Sequence, residues 1–266
     1  IAVDTGMSRI GVRPDDGGLD IVKAVSVMPG IEIEGLFTHF ARADEADKEF
    51  TIKQYEKYSW FVEKLRSMGI RIPICHCANS AAIMELPHMG MDAARAGISM
   101  YGLYPSGKRG KNMELHPAME IRSFLTYVKE IEAGTPVSYG GTFVAERKMR
   151  IGTVGAGYAD GYPRNLSGRG YVLIAGQRAP VLGRVCMDQF MVDITDIPQA
   201  REGSRVTLAG RDGDEFLSIE ELAEMCGGFH YEIPCLLGKR VPRVYVENGR
   251  IVGKKDYFDD IYADFM

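Results

Sequence analysis

The sequence is short of the features that announce a membrane, nucleic-acid or disulfide-built protein. No apolar run approaches the length of a bilayer span, and no secretory signal pattern is present. Charge of one sign is not concentrated anywhere: 32 lysines and arginines against 36 acids give −4, with no basic stripe to suit nucleic acid or an anionic membrane. Cysteines number only five, an odd count over 266 residues, which argues for reduced thiols and a cytosolic protein. Cys75 and Cys77 share one face of a strand while His76 points away, and no second ligand pair at zinc spacing follows, so no metal is expected. Internal repeats and low-complexity stretches are lacking as well. No methionine precedes the strand-like Ile1 to Val3, and the sequence reads as starting inside something.

What is present is a soluble, core-forming composition, 45% hydrophobic, at a length for one large domain or two ordinary ones. The first half alternates short apolar strands with helical spacing. Ile1 to Val3 precedes a loop through Gly6 and Arg9, and Leu19 to Met28 is helical. Ile31 to Phe37 forms a strand ending at Thr38-His39. Phe50 to Met68 forms a long amphipathic helix whose Tyr55, Tyr58 and Phe61 face the core. Ile72 to Cys77 is a third strand, ending at Asn79-Ser80, where either residue suits a helix N-cap. The stretch from Asp92 to Pro105 holds Arg95, then an apolar run from Ile98 to Tyr101 that reads as a fourth, buried strand. Gly97 lets the backbone approach a ligand, and the turn with its fixed cation suits an anionic or heteroaromatic group. The plain alternative is an Arg95 that only pairs with Asp92.

Strand–helix alternation implies a parallel sheet with function at the C-terminal strand ends, where Arg9, His39, Asn79-Ser80 and Arg95-Gly97 gather. Four strands cannot close an eight-stranded barrel, so either the rest of the barrel has been lost or another chain supplies it. Residues 115–266 read as a mainly β domain, with strands at Phe124 to Ile131, Met149 to Val154, Tyr171 to Ile174, Ala179 to Val185, Met191 to Ile194, Arg205 to Leu208 and Arg243 to Val246. Its one helix, Ile219 to Cys226, opens with Ser218 and Glu221 as a capping box. The tail from Asp256 mixes acids and aromatics without a pattern.

Nine stretches then run in order over nearly the whole chain: Val-Asp-Thr-Gly-Met-Ser-Arg-Ile-Gly (3–11), Phe-Thr-His-Phe-Ala (37–41), His-Cys-Ala-Asn-Ser-Ala (76–81), Arg-Ala-Gly-Ile-Ser-Met-Tyr-Gly (95–102), Val-Ser-Tyr-Gly (137–140), Gly-Tyr-Ala-Asp-Gly-Tyr-Pro-Arg (157–164), Cys-Met-Asp-Gln (186–189), Tyr-Glu-Ile-Pro-Cys (231–235) and Arg-Val-Pro-Arg-Val-Tyr (240–245). Together they resemble the alanine racemase family. The resemblance implies a cytoplasmic enzyme dependent on pyridoxal 5'-phosphate, built from a (β/α)8 TIM-type barrel, of which 1–114 is the second half, and a C-terminal β domain. It further implies a head-to-tail homodimer that interconverts L- and D-alanine and supplies D-alanine for peptidoglycan.

By that resemblance Arg95, held by His76, faces the pyridine nitrogen of the cofactor. A guanidinium only donates, so that nitrogen has to accept and stays unprotonated, which weakens the cofactor as an electron sink. Asn79, Ser80, Gly97, Ile98 and Tyr231 match the cofactor-binding positions, most of them around the phosphate. Racemisation needs a base on each face of the substrate Cα. In the family these are the cofactor-bearing lysine and a partner-subunit tyrosine that matches Tyr139. A phenol keeps its proton at neutral pH unless its surroundings help remove it, and His39 with Arg95 belongs to that network. Met187 matches the donor of a backbone N–H to the substrate carboxylate, also across the dimer, beside Asp188. Tyr158 matches a residue that narrows the access path, and Arg9 lies on the carboxylate side.

The chain departs from the family at two places. The cofactor-bearing lysine stands in an N-terminal strand before tyrosine, glycine and histidine, and no lysine here has that setting, so the polypeptide by itself is expected to be inactive. Many members also carry a lysine two residues before the aspartate of the first motif, where this chain has Ala2, which removes a carbamate partner for Arg9. Two other readings stand beside the racemase: a pyridoxal-phosphate decarboxylase of the same architecture acting on basic amino acids, and a non-catalytic dimerising remnant.

Overall fold

The computed structural model describes residues 1–106 and 113–258, and the chain divides into two compact units, Ile1–Ala118 and Met119–Met266. Most of the tail, 259–266, lies outside the described residues.

The first unit is a run of parallel strand positions with a helix after each. Helix α1 (Asp16–Ser26) precedes strand β1 (Gly35–Phe37), α2 (Glu49–Ser67) precedes β2 (Ile74–His76), and α3 (Ser80–Glu85) follows. β1 and β2 pair in parallel, Leu36 opposite Cys75 and Phe37 opposite His76. Single parallel bridges extend the sheet on both sides, Ala2 to Phe37 and His76 to Ala93. Each strand position therefore lies beside its neighbour in the chain, the winding of a barrel segment.

Helix α1 starts where the Asp15 carboxylate accepts from Gly18 N at 3.0 Å, closing one of the orphan N–H groups of the first turn. Helix α2 buries Thr51, Gln54, Tyr58, Phe61, Val62 and Leu65, a stripe at helical spacing. Tyr58 and Phe61 are fully buried with Leu36 and Cys77, each large side chain contributing roughly 1.5–3 kcal/mol by leaving water.

Two expectations need correction here, and one left open is decided. Ile98–Tyr101 is a 3-10 turn, not a strand. The fourth strand position falls at Ala93, because Gly102 turns left-handed at φ 74° and only Ile98 of the run is buried, with Met100 and Tyr101 exposed. Ile31 to Glu34 is not strand, since the chain leaves the Gly30 turn (φ 76°) with Ile31 in solvent. At the start of α3 Asn79 is the cap, accepting from Ala82 N at 3.1 Å, and Ser80 is the first helical residue.

The second unit is an antiparallel sheet that closes on itself. Its strands are β3 (Ile121–Ile131), β4 (Pro136–Val137), β5 (Phe143–Val144), β6 (Met149–Val154), β7 (Tyr171–Ile174), β8 (Gln177–Leu182), β9 (Phe190–Asp193), β10 (Arg205–Asp212) and β11 (Glu215–Leu217). Seven of them run in the order β11-β10-β3-β6-β9-β8-β7, and Thr207 of β10 also pairs with Leu173 of β7, which closes six strands into a ring. Leu125, Ile151, Val154, Leu173, Phe190, Val192 and Leu208 are buried.

Helix α4 (Ile219–Cys226) begins as its Ser218 cap accepts from Glu221 N at 3.0 Å, while the Glu221 carboxylate accepts from the Tyr171 hydroxyl instead of completing a box. Unforeseen from the pattern are the short α5 (Glu232–Leu236), the two-residue pair β4–β5, and β13 (Arg250–Lys255), which pairs with β12 (Arg243–Glu247).

Candidate active site

In the first unit the ends of β1 and β2 meet around one cation. Arg95 Nη1 lies 2.6 Å from His76 Nδ1, while Nη2 donates to Thr38 O at 2.9 Å and Cys77 O at 3.2 Å, and lies 3.2 Å from His39 Nδ1. The guanidinium also sits over the Phe37 ring, 5.3 Å from its centroid, and that ring stacks on His76. Since arginine has no acceptor, both Nδ1 atoms accept and the ring protons belong on Nε2. Burial, and then the Arg95 charge, lowers the pKa of both imidazoles from 6.5, with Arg9 adding to the effect on His39. Arg95 does not pair with Asp92, whose carboxylate accepts from Cys75 N at 2.8 Å.

A buried polar chain holds the His39 end in place. Thr38 Oγ1 donates to Val3 O at 2.8 Å, so Thr5 Oγ1 must supply the proton of the 2.7 Å contact between the two threonines. Gln54 Nε2 then donates to Thr5 Oγ1 and to His39 O, both at 3.1 Å, and Gln54 Oε1 accepts from Ala41 N at 2.9 Å. Thr5, Thr38 and Gln54 form a support for the His39 end that the sequence reading missed. One signal was available: a glutamine four residues before Tyr58 on the buried stripe needs partners inside. Arg9 is exposed and lines, with Ala2, Val3, Phe37 and His39, a cleft of ≈ 10 Å³.

Where α3 begins, three donors converge on one hydroxyl. Ser80 Oγ accepts from Gly97 N at 2.9 Å, from Ser99 Oγ at 3.0 Å and from Ser99 N at 3.4 Å. Ser80 and Ile98 are buried, and Arg95 N donates to Ala78 O at 2.9 Å, which pins the loop that delivers these groups. Asn79, Ser80, Gly97 and Ile98 are thus neighbours. Cys75 and Cys77 are buried, and burial pushes the Cys77 thiol up to about 11. Among the described residues no group of three or more His, Cys, Asp or Glu is placed to hold a metal ion.

The remaining candidates lie in the second unit. Tyr139 is 68% exposed at a 3-10 turn between β4 and β5, where Ser138, Gly140 and Gly141 all have positive φ. Ser138 Oγ donates to Arg184 O at 2.6 Å, tying this turn to the segment that leads to Met187. Tyr158 N and Ala159 N donate to Cys186 O and Met187 O at 3.1 and 3.0 Å, so the Tyr158 turn is bonded to the turn of Met187 and Asp188. Tyr158 and Met187 are 43% and 52% exposed. Tyr231, just before α5, stacks on Phe229 with centroids 4.6 Å apart.

Comparison with known proteins gives the same assignment for both units. The family described as alanine racemase, N-terminal domain, matches residues 1–105, and that described as alanine racemase, C-terminal domain, matches 118–245. Alanine racemase 1 of Clostridium acetobutylicum is 45% identical over 258 residues, which is 97% of this chain and 67% of that protein. The chain belongs to the alanine racemase family. The alanine racemase of Halothermothrix orenii is 47% identical over 245 residues, 92% of this chain and 64% of that one. Among solved structures, the alanine racemase of Bacillus anthracis with bound L-Ala-P superposes with a TM-score of 0.91 at 38% identity, covering 98% of this chain and 67% of that chain. That of Clostridium difficile 630 has a TM-score of 0.91 at 39% identity, over 97% and 66%. The chain thus spans about two thirds of the length of the alanine racemases it matches, and its fold is that family's partial barrel and β domain. Among the described residues no helix is long and apolar enough to cross a membrane.

Proposed function

We propose that the chain acts as an alanine racemase, with residues 1–114 contributing the later strands of the barrel and 115–266 the β domain. The observation that carries the reading is Arg95, a donor-only cation bonded to His76 Nδ1 at 2.6 Å among the strand ends. The residues present fit pyridoxal 5'-phosphate. Arg95, a donor only, would leave the cofactor's ring nitrogen to accept, and the N–H and hydroxyl donors gathered at Ser80 would suit its phosphate. Asn79 orders the α3 start, while Gly97, Ile98 and Tyr231 supply the rest of the cofactor set. When bound, the cofactor draws electron density from the amino-acid Cα and so acidifies its hydrogen.

The chain's own residues then bind, orient and move a proton. Tyr139 takes or returns the Cα proton on one face, and the cofactor-bearing lysine of the family serves the other. Neutral His39 and His76 keep Arg95 fixed without adding positive charge. Met187 N–H and Arg9 receive the substrate carboxylate, Asp188 shapes that turn, and Tyr158 narrows access so that a small side chain such as that of alanine is favoured. The assembly is a homodimer in which Tyr139 and Met187 serve the partner's site, working in the cytoplasm and feeding D-alanine to cell-wall synthesis.

None of the 12 lysine positions of this sequence has the setting of the family's cofactor lysine, so the 266-residue polypeptide by itself is expected not to turn over alanine. The test is intact mass after incubation with pyridoxal phosphate and borohydride reduction, with and without a lysine-bearing barrel segment. An adduct on the added segment together with racemase activity supports the proposal. Activity without that segment, or none with a labelled segment bound, would overturn it.

A further inference from the structure

Three segments of the second unit converge beside Tyr158 and Met187, and one arginine ties them together. Arg240 Nε donates to Asp160 Oδ1 at 2.7 Å, and its Nη2 donates to Asp188 Oδ1 at 2.6 Å. Asp160 uses its other oxygen locally, accepting from Gly157 N at 2.9 Å. The two turns held by these carboxylates are also in backbone contact, since a Cβ at Gly157 would lie 2.2 Å from Met187 O, and the Tyr158 turn meets the end of α5, where a Cβ at Gly161 would lie 2.4 Å from Leu236 O. The segment carrying Arg240 is braced in turn by Arg243, which donates to Leu237 O at 2.8 Å and Gly238 O at 2.9 Å.

Energy alone does not explain this arrangement. The Arg240 side chain is 37% exposed and that of Asp188 57%, and ion pairs so wet contribute little to stability. The gain is geometric. One planar guanidinium reaches two carboxylates on two different turns and fixes their spacing, which a flexible ammonium cannot do.

We propose that Arg240 is a positioning residue that holds the Met187–Asp188 turn against the Tyr158 turn, and thereby aims the Met187 N–H at the substrate carboxylate. The inference rests on the role given to Met187 above. A contact to a carboxylate that is present before and during proton transfer contributes equally to both states, so loosening it changes KM and leaves kcat alone.

The experiment is kcat and KM for L-alanine on the holoenzyme, the chain completed with the lysine-bearing barrel segment and loaded with pyridoxal phosphate, with amide hydrogen exchange on the same proteins, for wild type, R240Q and R240K. R240Q is expected to raise KM about tenfold, the size of one misaimed hydrogen bond, with kcat nearly unchanged. R240K, which keeps the charge but reaches one carboxylate at a time, falls between. Exchange quickens at 157–161 and 186–189 and stays as in wild type in β6, β8 and β9. An unchanged KM in an active R240Q enzyme overturns the inference while leaving the racemase reading intact. Equal losses in kcat and KM with faster exchange throughout the sheet overturn it in favour of a merely structural arginine. A wild-type holoenzyme that turns over no alanine fells the racemase reading, and the carboxylate role with it, whatever the exchange shows.

Discussion

Arg95 and His76 meet at the end of β2, guanidinium nitrogen to Nδ1 at 2.6 Å, in a bond whose direction is forced because only one partner can donate. The consequence is a histidine held neutral next to a permanent charge. His39 shares that arrangement at 3.2 Å from the same guanidinium.

A pH dependence follows from this pair. Burial and the Arg95 charge set both imidazoles below 6.5 in the folded chain. As pH falls, the unfolded chain therefore takes up these protons first, and the folded state loses ground. The contribution is whole above the ordinary histidine value and drains away as pH drops through the folded ones. Histidine NMR titrations should place both midpoints below 6.5. The urea midpoint should fall between about pH 7.5 and about pH 5.5, and a midpoint that holds or rises over that range would contradict the argument.

Replacing Tyr139 with phenylalanine tests the two-base assignment without disturbing the turn, because the exposed hydroxyl supports no described contact of the fold. Racemisation should fall by roughly 10²–10⁴, the usual worth of a positioned proton-transfer group. Hydrogen exchange at Cα in deuterated water should survive for one alanine enantiomer and vanish for the other. Equal loss for both would mean that Tyr139 does not act on one face alone.

Much of the scaffold was legible because burial imposes periodicity. Tyr58, Phe61 and Leu65 recur at helical spacing, and Met149–Val154, Tyr171–Ile174 and Ile219–Cys226 lie where alternation and capping put them. The Ile98–Tyr101 run was misread because three apolar residues and a serine between glycines have no period long enough to separate a strand from a 3-10 turn. The strand ends around Arg95 were visible as polar residues after apolar runs, yet their partners were not. Arg95 meets Thr38 and His39 from 57 and 56 residues away, and Arg240 meets Asp160 and Asp188 from 80 and 52, separations on which local pattern carries no information. The roles of Tyr139 and Met187 came from family resemblance alone, since an exposed turn tyrosine and an exposed methionine look like ordinary surface.

Gly157 is a second place where a single atom should matter. Its φ of −160° is ordinary extended backbone, so an alanine there suffers only from contact, its Cβ falling 2.2 Å from Met187 O and 2.4 Å from Cys186 O. Because both obstacles are backbone, neither can swing aside. G157A should lose about 1–3 kcal/mol of stability in urea denaturation, the cost of overpacking, and should raise the KM for alanine by moving the Met187 turn. A variant as stable as wild type would mean that the two turns are not held as tightly as their hydrogen bonds suggest.

Ser80 offers the sharpest test of the phosphate assignment, since its hydroxyl is the common acceptor of Gly97 N, Ser99 N and Ser99 Oγ. In S80A these part-buried donors lose their protein partner, and the stability cost should be about 0.5–1.5 kcal/mol, the net worth of an ordinary hydrogen bond. A purely structural serine would do no more than that, weakening every ligand alike. A serine that gathers donors for a phosphate should instead weaken pyridoxal phosphate far more than pyridoxal, which lacks the group. The ratio of the two affinities, measured by absorbance titration of the apoenzyme, should drop about tenfold in S80A, one charge-assisted hydrogen bond's worth. Should the ratio stay put while stability falls, Ser80 is a brace for the Gly97 loop, and the anion must be held by other donors.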